Sequence, residues 1–326
     1  MGIIGTILTR TAYAVVLLLC VLVLNFMLIQ LAPGDPAQVI AGEMGGVTEE
    51  QLARIRASYG LDRSLPEQLG VYLGRVLQGD LGFSFYFDRP VIDLILSRIP
   101  ATLVLVVTAL LLAISIGTLL GVLASRNPNG LFSQLITVLA LFGFSVPVFW
   151  IGIMLLILFS GTLSLFPVSG MQAVARDEVN PVLVLLDILH HLVLPAFTLA
   201  IVYIAQYSRL SRASMLETLG ADYIRTARAK GVPERRVVFR HALRNAVLPV
   251  VTMAGLQFSQ LFAGAVLVET VFNWPGMGRL AFESILRRDY PTLLGILFFS
   301  ALIVIVVNLL TDLVYRLVDP RIKSAR

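Results

Sequence analysis

The chain has 326 residues, 57% of them hydrophobic and only 14% charged, with a formal net charge of +5. Soluble domains carry about a quarter charged residues, so a mean hydropathy of +0.87 excludes an ordinary water-soluble globule and points to a chain solvated mainly by lipid. The single cysteine, Cys20, excludes an internal disulfide and reads as a small apolar packing residue.

Apolar runs of roughly 20 residues, the length that crosses a bilayer, occur near 9–31, 101–125, 134–160, 192–212, 246–269 and 292–315. They predict an all-α integral membrane protein with six transmembrane helices, forming one domain over 1–326. The first run is too long for a signal peptide, and "LAPGDPAQ" after it lacks a small-residue cleavage pattern, so it reads as a retained helix. The segment 32–100 is predicted to be a helical insertion. "TEEQLARIRASYG" opens with Thr48 and Gln51 in a capping-box arrangement, places Leu52, Ile55 and Tyr59 on one face, and ends at Gly60. A second helix follows Pro66, with Leu69, Tyr72, Leu73, Val76 and Leu77 as its apolar stripe. Neither is long enough to span; the pair either caps the membrane surface or packs on the spans.

The spans carry distinct signals. Ala113, Gly117, Gly121 and Ser125 recur every four residues in the second, a spacing that lets helix backbones approach closely. In the third, Pro147 within "FSVPVFW" predicts a kink that frees a carbonyl near Ser145, shaping either a pathway or a packing bend. Pro195 and Gln206 interrupt the fourth. In the fifth, Gln257 and Gln260 share a face with Gly264 one turn on and Ser259 beside them, and Asn308 and Asp312 form an i, i+4 pair in the sixth. Amides deep in a bilayer need partners, so two readings stand: a polar translocation path, with Ser145, Pro147, Gln257, Gln260 and Asn308 as its candidates, or hydrogen bonding between helices.

Charge sets the expected orientation. The stretch 209–245 holds nine Arg or Lys against three acids, and "RLVDPRIKSAR" at the C-terminus adds four more. On the other side the 161–191 loop has one, Arg176, and the 270–291 loop three. The basic side is expected to be cytoplasmic, with both termini there and 32–100 outside. The pI near 9.6 thus reports topology rather than nucleic-acid binding.

Several chemistries are absent from the sequence. No GxxxxGK[ST] loop occurs, so ATP hydrolysis by this chain is not expected, and there is no HExxH or GxSxG. "GMGRLA" (276–281) matches a loose dinucleotide fingerprint but follows a membrane helix and "NWP", so it reads as a tight turn. Adjacent His190 and His191 lie about 100° apart on a helix, poor geometry for one metal, and read as polar residues at a helix mouth. His241 reads as solvated. Catalytic and metal-ligating residues are therefore expected to be absent.

The most unusual stretch is "DYIRTARAKGVPERRVVFRHALRNA", within 213–245 and just beyond. It predicts a helix stopping at Gly231, a natural C′ residue, and a second helix starting at Pro233. Its basic residues can serve as orientation signals, as contacts for anionic lipid, or as a docking surface for a cytosolic protein. A helix, a glycine turn and a helix are more than orientation requires.

"SRASMLETLGADYIRTARAKGVPERRVVFRHALRNAVLPVV" resembles the cytoplasmic coupling loop of ABC importer permeases, above all the dipeptide/oligopeptide (peptide/nickel) subfamily. The family pattern is EAA, three residues, Gly, then Leu-Pro. Here Arg225-Thr226-Ala227 stands at the triplet, followed by Gly231 and Leu248-Pro249, departures that the peptide subfamily shares. "LAPGDPA", "YGLDRSLPEQ", "GDLGFSF", "RPVIDLILSRIPATLVL", "ETVFNWPGMGRLAFESILRRDYP" and "DLVYRLVDPRI" are similar to the subfamily along nearly the whole chain. The resemblance implies the type I importer permease fold. It also implies a second homologous permease, two cytosolic ATPases that hold ATP and Mg, and an external solute-binding protein. This chain itself would bind no cofactor. Gly231 would form the docking turn, with Tyr223, Arg225, Thr226, Ala227, Arg228, Lys230 and Arg235 around it. The implied cargo is a di- or oligopeptide; the alternatives are nickel chelate, glutathione or another small solute on the same fold, and, from another class, a membrane enzyme or scaffold without ATPase partners.

Overall fold

Residues 3–31, 48–59, 62–173 and 180–318 are described by the computed structural model, and they divide between two compact units. Helices dominate both.

The first unit joins Met1–Pro100 to Leu280–Leu309. It begins with α1 (Ile3–Leu31), whose Thr9–Leu28 stretch is long and apolar enough to cross a membrane. At the start of α2 (Glu49–Tyr59), the Thr48 N–H donates to Gln51 Oε1 at 2.9 Å and the Gln51 N–H donates back to Thr48 Oγ1 at 3.4 Å, the predicted capping box. Gly60, its predicted stop, lies outside the described residues. α3 (Leu65–Leu77) is capped by Ser64, whose hydroxyl and backbone N–H both donate to Glu67 Oε2, at 2.9 and 3.1 Å. Those bonds hold the Glu67 carboxyl below its usual value.

α3 packs on α1 along Gln68, Tyr72 and Val76. The Gln30 amide donates to Gln68 Oε1 at 2.6 Å, and the Phe26 and Tyr72 rings lie 6.1 Å apart. This face explains one departure from the predicted stripe. Leu77 is 84% exposed, because it follows Val76 by 100° and turns away from α1. Buried Asn25, near the end of α1, donates to the Leu294 carbonyl at 3.1 Å.

A short antiparallel hairpin, β1 (Phe83–Ser84) and β2 (Arg89–Pro90), is the one departure from all-helical structure among the described residues. Asp289, fully buried, anchors it: Oδ2 accepts from the Ser84 and Thr292 hydroxyls, each at 2.6 Å, and Oδ1 from the Thr292 N–H at 3.1 Å.

The second unit holds Ala101–Arg279 with Leu310–Arg326. α4 (Val91–Arg126) starts ten residues before the predicted edge and runs straight through Pro100. The predicted small-residue stripe is a close approach to α7 (Pro181–Leu219). A Cβ on Gly117 would stand 2.6 Å from Tyr207 Cβ, and one on Gly121 2.5 Å from the Ser208 carbonyl oxygen.

The third predicted span is broken rather than kinked. α5 (Leu131–Ser145) ends before Val146, which is extended at φ −100, ψ 132; α6 (Val148–Leu155) then starts after Pro147 and runs into a π turn at Leu156–Thr162. Proline lacks the N–H and disfavours helical geometry in the residue before it, and here Val146 takes the extended conformation that breaks the helix. α7, by contrast, absorbs Pro195 and Gln206 in 39 continuous residues. α8 (Asp222–Ala229), α9 (Glu234–Arg236), a second π turn (Val237–Ala242) and α10 (Leu243–Ala246) lead to α11 (Leu248–Val271), α12 (Met277–Arg287) and α13 (Tyr290–Val318). Among the described residues, five helices have the length and composition of single membrane spans, and the broken α5–α6 adds two shorter apolar helices.

Candidate functional site

The glycine turn predicted in the basic stretch is built as a Schellman motif. The Gly231 N–H donates to the Arg228 carbonyl at 2.9 Å and the Val232 N–H reaches back to the Ala227 carbonyl at 3.2 Å. Gly231 has φ +74, a conformation that costs an L-residue about 1–2 kcal/mol. An added Cβ there would meet nothing within 4 Å. The turn therefore needs glycine for its backbone, not for space.

Three further contacts close the two arms on each other. The Arg228 guanidinium donates to both carboxylate oxygens of Glu234, at 2.7 and 3.1 Å. That hydrogen bonding lowers the Glu234 pKa and raises that of Arg228. The Asn245 amide donates to the Tyr223 hydroxyl at 2.7 Å. Beneath both arms lies an apolar cluster of Val122, Met215, Ile224, Val237, Val238, Ala242 and Ala246, with Leu219, Ala227, Val232 and Leu243 packed against it. The arms thus rest on the ends of α4 and α7.

Of the predicted docking residues, Tyr223, Arg225, Thr226, Arg228, Lys230, Gly231 and Arg235 are exposed around this turn. Ala227 is half-buried and faces the cluster, so it supports the surface more than it presents one. Pro233 caps the second arm rather than opening its first turn. His241 is half-buried on the π turn, not freely solvated as expected.

The candidate path residues differ in burial. Gln257 is buried, and its amide donates to Gln206 Oε1 of α7 at 2.7 Å, which is the interhelix reading of that residue. Gln260 is exposed, as are Ser145, Pro147 and Asn308. The Ser145 hydroxyl turns back to the Leu141 carbonyl at 3.0 Å. The Asp312 side chain lies outside the described residues. Towards the N-terminal end of α7, His190 donates to the Leu165 carbonyl at 2.9 Å and His191 to the Asp187 carbonyl at 2.8 Å; because the helix already starts at Pro181, both lie inside it rather than at its mouth.

Sequence reasoning missed the buried carboxylate of Glu269. Its Oε1 accepts the Thr102 hydroxyl at 2.6 Å and its Oε2 the Arg279 N–H at 3.0 Å, while Thr102 Oγ1 also accepts the Met277 N–H at 2.8 Å. The carboxylate sits where a Cβ on Gly276 would be. The predicted tight turn at "GMGRLA" is therefore real, and its first glycine makes room for the Glu269 carboxyl group at the start of α12. A lone Glu near the end of an apolar run was the available signal.

A family model described as "Binding-protein-dependent transport system inner membrane component" matches residues 117–324, and one described as "Binding-prot-dependent transport system membrane comp, N-term" matches 3–106. The chain belongs to this transport-permease family. The permease is 41% identical over 336 residues to the dipeptide transport system permease protein DppB of Escherichia coli K12, covering 98% of this chain and 99% of that one. It is 39% identical over 318 residues to the oligopeptide transport system permease protein AppB of Bacillus subtilis, with 97% and 98% covered. In fold it is similar to a chain of the MetNI methionine ABC transporter in an inward-facing crystal form, at TM-score 0.54 and 15% identity over 70% of this chain and 97% of that one. The permease is a multi-pass inner-membrane protein of the ABC importer type.

Proposed function

We propose that the permease forms half of the path by which an ATP-driven importer takes di- or oligopeptides across the cytoplasmic membrane. A second homologous permease forms the other half. Two cytosolic ATPases bind and hydrolyse ATP with Mg, and an external solute-binding protein delivers the cargo. The chain binds no cofactor of its own, acts as a single permease domain, and keeps both termini and the glycine turn in the cytoplasm. The peptide cargo rests on near-full-length similarity to two named peptide permeases.

The observation that carries the mechanism is the exposed, rigid turn at Gly231 seated on the ends of α4 and α7. Tyr223, Arg225, Thr226, Arg228, Lys230, Gly231 and Arg235 face an ATPase groove, and Ala227 supports them from below. ATP-driven closure of the ATPases moves this handle, and the handle biases the permease between its access states. That works only if the ATPases contact the two states differently. Ser145, Pro147, Gln260 and Asn308 offer exposed groups to the path, with Gln257 held behind Gln260.

The test is uptake of labelled dipeptides and pentapeptides by cells lacking only this chain, against the complemented strain, with copurification of the ATPases scored in parallel. Restored uptake of either peptide supports the reading. Unchanged uptake with ATPases still bound refutes the cargo, and absent ATPases refute the handle.

A further inference from the structure

The second arm of the basic stretch carries a surface that the glycine turn does not use. Val238, Ala242 and Ala246 are buried four residues apart, and Arg236, Arg240 and Arg244 are exposed at the same spacing, offset by two. Two residues along a helix are roughly half a turn, so the arginines line the side opposite the buried stripe. The π turn at Val237–Ala242 sharpens the alignment. An α-helical repeat of four drifts about 40° per step around the axis, and the wider π turn, closing i to i+5, drifts the other way, so the two offset each other along the arm.

Among the described residues, none of these three arginines engages a carboxylate; Glu234, the acid of this arm, is taken by Arg228. Phe239, 39% exposed, stands beside them, and Leu248, 37% exposed, begins the α11 span. At 1.5 Å per residue, Arg244 lies at most about 6 Å from Leu248 and Arg240 about 12 Å. The polar headgroup layer is about 5–7 Å deep on each side of a hydrocarbon core of about 30 Å. Arg244 is thus within that layer, and the side chain of Arg240 can reach its edge. Arg236, a turn further away, is beyond it.

We propose that Arg240 and Arg244, flanked by Phe239 and Leu248, bind the phosphate headgroups of anionic phospholipids in the leaflet on the basic side. Guanidinium groups pair with phosphate oxygens through two donors at once, and Phe239 offers the interface an apolar ring. The lipid contact fixes how far the second arm stands from the membrane while the turn beyond it is free to meet a protein. The surface is independent of the proposed peptide cargo.

The test uses the full-length chain in phosphatidylcholine nanodiscs holding a minority of phosphatidylglycerol, with spin-labelled versions of both lipids. Preference for phosphatidylglycerol falls roughly fivefold per arginine in Arg240→Gln/Arg244→Gln at low salt. It is largely kept in Arg240→Lys/Arg244→Lys, and Arg236→Gln changes it little. An unchanged preference in the double glutamine variant overturns the proposal. So does an Arg236→Gln loss as large as that of the double variant. ATPase copurification that fails in the double glutamine variant while lipid preference stays intact also overturns it and assigns the stripe to the ATPase.

Discussion

Substituting Gly231 separates two ways in which a turn can matter. With φ at +74 and open space around the Cα, a new side chain is penalised by backbone conformation alone. For Ala the cost is about 1–2 kcal/mol, a shift of roughly five- to thirtyfold between formed and unformed turn. Asn tolerates the left-handed region and costs less, whereas β-branched Val costs more. Backbone strain therefore predicts transport activity in the order Gly, Asn, Ala, Val. A clash with a docked partner predicts a different order, because Ala is smaller than Asn. The assay is ATP-driven uptake in cells, normalised to the amount of chain in the membrane, which all three variants leave near wild type. If Ala outperforms Asn, the turn matters through bulk at an interface and the strain reasoning fails. If all three transport normally, the turn is not the handle.

Glu234→Gln weakens the Arg228 bridge, but both groups are exposed, so the loss is only about 0.5 kcal/mol. Since the folded-state pKa of Glu234 lies below 4.5, the bridge contributes fully above that value and its contribution disappears as pH falls through the folded-state pKa. Hydrogen exchange at the Gly231 and Val232 amides reads this as an approximately twofold difference from wild type at neutral pH that vanishes in acid. Thr102→Val removes a donor to Glu269 and an acceptor for the Met277 N–H, and is expected to lower stability by about 2–4 kcal/mol in detergent unfolding; an effect below about 1 kcal/mol contradicts the buried cage. Gly121→Leu drives a side chain into the Ser208 carbonyl and Ser211, so the chain should fail to accumulate in membranes, while Gly74→Leu, whose Cβ would meet nothing within 4 Å, should not. Gln206→Leu orphans the buried Gln257 amide and Gln257→Leu the half-buried Gln206 amide, and the double variant should recover stability by roughly 0.6 kcal/mol over the sum of the singles; a transport loss persisting in the stable double variant would place the Gln206–Gln257 pair on the path.

What the sequence disclosed depended on the range of the interaction. The Thr48–Gln51 box and the Gly231 stop are local, each set by residues within one or two turns, whereas the apolar runs located the spans but not the ends of α4 and α7, whose helices continue past the apolar stretch. The Gly117–Gly121 stripe announced close packing because the small residues repeat, although the facing residues, Tyr207 and Ser208, could not be read. The Glu269 cage was hidden because Thr102 stands 167 residues away, and a lone carboxylate gives no hint of its donor. The Asp289 anchor was hidden for the same reason, its partner Ser84 lying 205 residues distant. Gln257 and Gln260 share a face by spacing, yet one is buried against α7 and the other is exposed. Three residues along a helix leave about 60° between them, enough to straddle the edge of a packed face.

The stiffness of the basic arms follows from their seating more than from their hydrogen bonds. Surface bridges such as Arg228–Glu234 are weak, whereas each buried aliphatic side chain beneath them is worth about 1.5–3 kcal/mol, several times the thermal energy. Ile224 on one arm and Val237 and Val238 on the other are buried against Met215 of α7 and Val122 of α4. A displacement at Gly231 therefore reaches α7 through close-packed side chains rather than through the Gly220 link. α7 is about 58 Å long against a hydrocarbon core of about 30 Å, so it projects well beyond the bilayer. Its projecting turns are held to their neighbours: Arg212 donates to the Pro128 carbonyl at 2.9 Å and Ser211 to the Thr118 carbonyl at 3.2 Å. Close-packed interiors transmit strain instead of absorbing it. On the proposed mechanism the arms, the end of α4 and the projecting part of α7 would therefore move as one body, and a push at the turn would become a tilt of a membrane-spanning helix.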